Sequence, residues 1–372
     1  MVVAVAVAAR DFWSAIESFV DQLTRREDVV AVGLFGGWAR YDASAASTLD
    51  FLVVGGSGVD FESHELIEHG GLLLDVNHVP WRWLGEIVKP EVDHRLHEAI
   101  VLYDPKGLLG KARGFVEQNY RAPGRVDIRT EGYIAMADVY MSRASSAVTR
   151  RNLETASVYV DAGLESISGV LMDIAGVPIA RESFVWNLRR ACEGLGLMDF
   201  YRDFIDVSRL SGLEARDVVE VRRRFEGVWR QISGYLCDSG DALAGLHEVL
   251  KREVGYLTSR SMLGLLLAVA EDMLDGGNFV GAAVYLRGWL RRLLEGYAWV
   301  VSARRGNKLD YTSLFKTIGG DGGAGNVREG VVGVLGLGGV DGEGARRAFE
   351  RSRSMVSLVR SSRRGLIEGR LG

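Results

Sequence analysis

Cysteine, lysine, glutamine and proline are all scarce in this chain of 372 residues, and the shortages narrow what it can be. Its two cysteines, Cys192 and Cys237, fall in no CxxC or Cys/His pattern. That removes a disulfide scaffold, a structural zinc site and a redox dithiol, and it fits a reducing compartment. Six lysines against 39 arginines, with three glutamines, fit a high-GC or thermophilic source and say nothing of function. Long apolar runs are missing as well: the stretch from Met262 to Ala270 is far shorter than the roughly 20 residues of a membrane span. The opening MVVAVAVAA has no basic segment before it and is cut short by Arg10 and Asp11, so it does not read as a signal peptide. A cytoplasmic protein with no membrane partner is the expectation.

What is present is the composition of a globular protein, 47% hydrophobic, 25% charged and 9% aromatic, with length for two or three domains of about 150 residues each. The net charge of −4 is unevenly spread. Residues 1–120 carry 10 basic and 18 acidic side chains, and the remainder 35 and 31. An acidic front half argues against nucleic-acid binding there unless its carboxylates hold cations. From Arg346 to Gly372, eight arginines face two glutamates. This reads first as a solvated helix face, with phosphates or the acidic half of the chain as other partners.

Apolar residues Phe12, Ile16, Phe19, Val20 and Leu23 share one helical face and predict a helix over 11–27. The β-branched runs Val29–Phe35 and Leu49–Val54, each stopped by a Gly-Gly pair, predict buried strands, as do Gly71–Val79 and Ala99–Tyr103. Phe61–Glu68 and Trp81–Val88 read as helical. Residues 1–117 are therefore expected to be a compact α/β domain with a mixed sheet and helices.

Beyond residue 120 the pattern is helical throughout, and part of it repeats. Met136, Asn152, Ala156, Val158, Tyr159 and Leu164 recur as Met262, Asn278, Ala282, Val284, Tyr285 and Leu290, all 126 residues later. Arg222, Arg223, Phe225 and Glu226 recur as Arg346, Arg347, Phe349 and Glu350 at an offset of 124. A duplicated all-α unit of roughly four helices follows, with bundles expected at 121–240 and 253–367. In each copy two long helices join at an asparagine, Asn152 or Asn278, suited to cap the second helix. Residues 319–344 hold 12 glycines in 26 and are the expected mobile loop.

One segment has the residues for chemistry. Gly36-Gly37-Trp38-Ala39-Arg40-Tyr41 follows a strand, and Ser47-Thr48-Leu49-Asp50 opens the next. A Gly-Gly turn after a strand lets backbone N–H groups converge on a phosphate. Asp75 interrupts another apolar strand, and an isolated carboxylate there must lie at a strand end, pair with a cation or bind a metal. Seven Gly-Gly pairs in the chain make the turn alone weak; the order of turn, gap, strand and further acid carries the signal.

This order resembles the nucleotidyltransferase superfamily that includes DNA polymerase β, kanamycin nucleotidyltransferase and the minimal nucleotidyltransferases of prokaryotes. The likeness covers about residues 10–105. It implies Asp50 and Asp75 as metal-binding and catalytic carboxylates, and Gly36, Gly37, Arg40 and Thr48 as residues at the nucleotide. It also implies Mg2+ or Mn2+ with an NTP, and transfer of a nucleoside monophosphate to a hydroxyl on a small molecule, protein or RNA. Thr48 departs from the pattern, standing where the family has the first acid of its Asp-x-Asp pair, and Tyr41 stands where it usually has glycine. The alternative is a catalytically degenerate nucleotide-binding protein or a protein-interaction scaffold, and a homo-oligomer is left open. The helical half resembles the kanamycin nucleotidyltransferase bundle and the related HEPN domain, without the Arg-x4–6-His motif of HEPN ribonucleases.

Other candidates are weaker. His64, His69, His78, His94 and His97 lie close in sequence but lack HExxH spacing. Ser44, Ser47 and Ser57 lack a GxSxG elbow. Trp81, Trp83 and Trp186 read as core or interface anchors, and Tyr159 and Tyr285 as packing residues of the helical bundle.

Overall fold

The computed structural model describes residues 2–44, 46–320 and 327–372, with side chains from residue 13 onward. Two compact units divide the chain, one of residues 1–120 with 259–262 and one of 121–258 with 263–372. A mixed sheet with helices makes up the first, and the second is helical throughout its described residues, as the sequence predicts.

In the first unit the elements run α1 (Val2–Thr24), β1 (Val29–Phe35), α2 (Gly36–Arg40), β2 (Leu49–Gly55), β3 (Ser63–His69), β4 (Leu72–Pro80), α3 (Asp93–Glu98), β5 (Ile100–Tyr103) and α4 (Leu108–Asn119). The sheet order is β3-β4-β2-β1-β5. Only β2 and β4 pair in parallel; the other neighbours are antiparallel. The runs in β1 and β2 are apolar on both faces because both faces are covered. On one side, Ile16, Phe19 and Leu23 of α1 pack on Val32, Phe51 and Val76. On the other, Leu96 of α3 and Leu109 and Val116 of α4 pack on Ala31, Leu52 and Val54. The α1 face thus follows the predicted periodicity from Ile16 onward, while the side chain of Phe12 lies outside the described residues.

Two predicted helices are corrected. Residues 63–69 form β3, not a helix, because Gly70 and Gly71, at φ +58° and +77°, make the two-residue turn that folds β3 back on β4. Both central residues of that turn need positive φ, which a Gly-Gly pair supplies without strain. Trp81–Val88 holds only a short 3-10 turn at Trp81–Trp83. Leu84 and Val88 are nevertheless buried, so its apolar residues serve the core from an irregular segment.

The second unit runs α5 (Pro123–Thr149), α6 (Leu153–Ala175), α7 (Phe184–Leu195), α8 (Met198–Val207), α9 (Ala215–Cys237), α10 (Gly240–Ala244), α11 (Glu248–Leu257), α12 (Met262–Asp275), α13 (Phe279–Arg304), α14 (Leu314–Ile318), α15 (Val327–Val334) and α16 (Gly342–Leu371). The long pairs α5/α6 and α12/α13 meet at Asn152 and Asn278. Asn278 caps α13, its Oδ1 accepting from the Gly281 N–H at 3.1 Å. Asn152 instead donates from Nδ2 to the Thr312 carbonyl at 2.7 Å, so its side chain ties a later segment to the junction. Before each asparagine one residue takes positive φ, Arg151 at +57° and Gly277 at +74°.

Long-range packing in this unit crosses the sequence halves. α16 packs against α5 and α6, and α9 packs against α13 and α15. The last long helix of the first stretch therefore lies on the central helix of the second, and the reverse. Tyr159 and Tyr285 are buried, as expected of packing residues. The glycine-rich stretch departs from expectation: α15 occupies Val327–Val334 with Val327, Val331 and Val334 buried, while residues 321–326 lie outside the described residues. Valine at i, i+4 and i+7 gives this segment an apolar face to dock, which outweighs the cost of its glycines. No helix among the described residues is long and apolar enough to cross a membrane.

The arginine-rich end finds carboxylates within its own unit. Arg363 reaches Asp127 at 2.8 Å and Glu131 at 2.5 Å, Arg360 pairs with Asp138, and Arg351 with Asp203. Arg346 and Arg347 pair along α16 with Glu350 and Glu343.

Candidate functional site

The residues singled out by sequence come together where β1 ends and β2 begins, by register rather than proximity in the chain. In the parallel pairing of β2 and β4, Asp50 stands directly opposite Asp75. Neighbouring strands lie about 4.8 Å apart, and paired positions share a face, so both carboxylates rise from the same side of the sheet. Leu52 and Val54 share this side with Asp50. They pack with Leu96 of α3, which places the acids on the α3 side.

Gly36 is fixed by that geometry. It has φ +74°, and a Cβ there would stand 2.0 Å from Asp50 Oδ2. No other residue fits without moving the carboxylate. Gly37 accepts from the Asp42 N–H at 2.9 Å and begins the return of the chain. Five-residue α2 then stops at Tyr41, a non-glycine residue at φ +64° with a 90% exposed side chain. Here the backbone adopts the conformation glycine favours, while the residue is tyrosine.

Each polar group has a partner. The Thr48 hydroxyl donates to Asp50 Oδ1 at 2.8 Å. Asp75 Oδ1 accepts from Asn77 Nδ2 at 3.4 Å and lies 3.6 Å from His64 Nδ1. The other nitrogen of His64 is 3.5 Å from Glu62, and Arg95 of α3 donates to Glu62 at 2.5 Å and to Asn77 at 3.3 Å. Across the site, a single oxygen of Glu98 accepts from Arg40 at 2.7 Å and from the Gly36 backbone N–H at 3.2 Å. Arg40 is also held by Asp42 at 3.0 Å.

The two glutamates on this face behave oppositely. Burial pushes Glu62 up, but the His64 hydrogen bond and the Arg95 charge outweigh it and hold the carboxyl at about 2. Burial also pushes Glu98 up, and there Arg40 and the Gly36 N–H do not offset it, so its pKa stays above the ordinary value. Burial pulls Arg40 down, yet its bond to Asp42 and the Glu98 charge leave it raised.

Glu62, Arg95 and Glu98 were not singled out by sequence. Glu98 contacts a glycine 62 residues away, which no local spacing encodes. Two helical histidines take structural duties: His97 stacks on Tyr120 with ring centroids 3.7 Å apart, and His94 Nδ1 lies 2.6 Å from the Tyr120 hydroxyl. Trp81 and Trp186 are exposed, whereas Trp83 packs on the core.

Among the described residues no group of three or more histidine, cysteine, aspartate and glutamate side chains is placed to hold a metal ion. Asp50 and Asp75 are the two carboxylates that the register brings opposite each other. The 48th residue, where the resemblance expects a further acid, is threonine, and its hydroxyl is engaged with Asp50.

No family model matches the sequence, and no curated protein matches it. Among solved structures, the chain is similar to a nucleotidyltransferase-like protein from Exiguobacterium sibiricum 255-15. The two are 11% identical over 74% of this chain and 77% of that one, with a TM-score of 0.34. A likeness at that level leaves the functional reading to the residues themselves.

Proposed function

We propose that the first unit is a nucleotidyltransferase-like domain that no longer performs two-metal nucleotidyl transfer. The reading rests on Glu98. Its single oxygen holds both the Gly36 N–H and Arg40, the groups that the sequence resemblance assigns to the nucleotide. A triphosphate must displace a carboxylate already bonded there, and it finds acids for one magnesium rather than two. The donor set does not fit the two-ion chemistry. On this reading the domain serves as a scaffold.

The helical unit is read as an internal duplication, HEPN-like in outline, with sequence bundles at 121–240 and 253–367 following a first domain of 1–117. The exchange of α9 and α16 between the central helices α6 and α13 favours a pair of copies intertwined in one chain.

A second reading, an active transferase with an NTP and Mg2+ or Mn2+, is favoured by the register of Asp50 with Asp75 and by the fit of Gly36 against Asp50. Calorimetry with each NTP, with and without Mg2+ or Mn2+, decides between them. The expected result for the native chain is no metal-dependent binding and no pyrophosphate release. Metal-dependent binding that disappears in Asp50→Asn would overturn the scaffold reading. The double variant Thr48→Asp/Glu98→Ala restores the missing acid and vacates the turn, and it is expected to gain metal-dependent triphosphate binding.

A further inference from the structure

The helical unit holds an unusual concentration of arginine around the middle of α13. Guanidinium groups of Arg209, Arg287, Arg291 and Arg292 are each accounted for. Arg209 pairs with Asp161, Arg291 with Glu165, and Arg292 with Glu253, one contact being 2.8 Å. Arg287 donates to the backbone carbonyls of Ser208 at 2.9 Å and Val334 at 3.2 Å.

Arg181 is the fifth, and it has no such partner. Its guanidinium lies over the Trp289 ring, 4.8 Å from the centroid, with Arg292 at 5.3 Å from the same centroid. Arg181 Nη1 and Arg291 Nη2 both come within 4 Å of one point beside Gly288. Among the described residues the Arg181 side chain forms no hydrogen bond or ion pair, and the charges of Glu165 and of the adjacent, exposed Glu182 act on it only at longer range. Arg181 is exposed.

Like charges do not converge without cost, and the chain holds this one in place. Asn187 Nδ2 donates to the Pro178 carbonyl at 3.0 Å and to Ser183 Oγ at 2.8 Å, which pins the 176–183 loop that carries Arg181. Arg291 and Arg292 are fixed by their glutamates. A second orphan lies in the same corner: the Trp289 Nε1–H is buried and has no acceptor among the described residues. An exposed cation on a pinned loop, with unused donors and further cations beside it, is a binding arrangement for an anion. A guanidinium fork in a field of several positive charges suits the doubly charged, many-oxygened phosphate group over a single carboxylate.

We propose that the Arg181–Trp289 corner of the helical unit binds a phosphate group, free or as a monoester. This goes beyond the reading of the first unit and is independent of its acids. The ligand oxygens bond the Arg181 guanidinium, and Arg291 and Arg292 contribute charge while they keep their glutamates.

The test uses the full chain in phosphate- and sulfate-free buffer, with chloride holding ionic strength constant. Inorganic phosphate and AMP are the probes, read by calorimetry and thermal melting. At a hundredfold excess over Kd, a bound phosphate is expected to raise Tm by about 5 °C. Arg181→Ala, at an exposed loop position, should abolish the shift while circular dichroism reports an intact fold. Arg181→Lys keeps the charge without the fork and should weaken binding about tenfold. Asp50→Asn should bind as the native chain does, which separates this site from the first unit. A response to both probes assigns the site to phosphate itself, and a response to AMP alone assigns it to a monoester. A shift no larger than chloride gives, a shift retained in Arg181→Ala, or a shift lost in Asp50→Asn overturns the proposal.

Discussion

The two units place their charges differently. In the sheet unit Asp93 is buried, but the acids of the candidate site stay at the rim, where Asp75 and Glu98 are 19% and 18% exposed. In the helical unit, charges enter the core: Arg129 and Asp173 are 2% and 1% exposed and meet at 2.7 and 2.9 Å through both ends of the guanidinium. A rim group can exchange a protein partner for water or ligand at modest cost, whereas a core charge depends on its one partner. Binding chemistry is accordingly easier to install at the first and structural specificity at the second. Arg181 is the exception in the helical unit, an exposed cation beside the core whose guanidinium forms no ion pair among the described residues.

The sharpest way to break this contrast is to remove one carboxylate from each class. Asp173→Ala strands Arg129 in the core and should cost about 3–5 kcal/mol. Asp42→Ala removes an exposed partner of Arg40 and should cost less than about 1 kcal/mol. Chemical denaturation of the full chain measures both; similar losses would mean that core and rim charges are not distinct here.

A smaller effect separates the two glutamates of the rim. Glu62 titrates at about 2 in the fold against an ordinary 4.5. Its contribution is therefore complete above about pH 4.5 and lost as pH falls toward 2. Glu62→Gln should cost about 2 kcal/mol at pH 7, discounted for its 31% exposure, and should flatten the acid limb of the stability curve. Glu98 has the opposite sign. Its raised pKa means that the fold gains stability as pH falls through that value, so Glu98→Gln should remove a gain rather than a loss on acidification. Stability curves from pH 2 to 8 for the two variants should diverge in slope; parallel curves would contradict the assignment.

The smallest effects come from the backbone. Tyr41 and Arg151 hold positive φ without being glycine, and Gly277 holds it as glycine at the junction matching Arg151. Tyr41→Gly and Arg151→Gly should each stabilise by about 0.5–1 kcal/mol, and Gly277→Ala should destabilise by about 1 kcal/mol. Thermal melts of the three variants check the signs, and a destabilised Arg151→Gly would show that its side chain matters more than its backbone.

Legibility in the sequence followed the range of the interactions. The strands 29–35 and 49–54 were readable because each carries its signal in consecutive residues and ends at glycine. The third strand was misread because Phe61–Glu68 has no clear period, although Gly70-Gly71 marked the turn behind it. Asp50 and Asp75 were readable as isolated acids, but their register depends on a parallel pairing that skips β3. Glu98 was invisible, since its meaning comes from a contact 62 residues away. The arginine-rich end was legible as composition and not as partnership. One signal went unused: Asp161 and Arg287, and Glu165 and Arg291, are each 126 residues apart and opposite in charge. Of these equivalent positions Glu165 does bind Arg291, whereas Asp161 pairs with Arg209 and Arg287 bonds backbone carbonyls.

The crossing of helices also has a consequence during synthesis. α6 is complete at residue 175, but α16, which covers it, ends only at residue 371. At about 5–20 residues per second, the ribosome leaves the covered face of α6 bare for roughly 10–40 s. α9 waits in the same way for α13. The nascent chain thus carries the bare α6 face until α16 is made and, for the shorter interval between residues 237 and 304, the α9 face as well, each complementary to a helix in any neighbouring chain that is further along. Closely spaced ribosomes on one message would bring such chains together, and the same exchange that joins two halves within one chain would then join two chains.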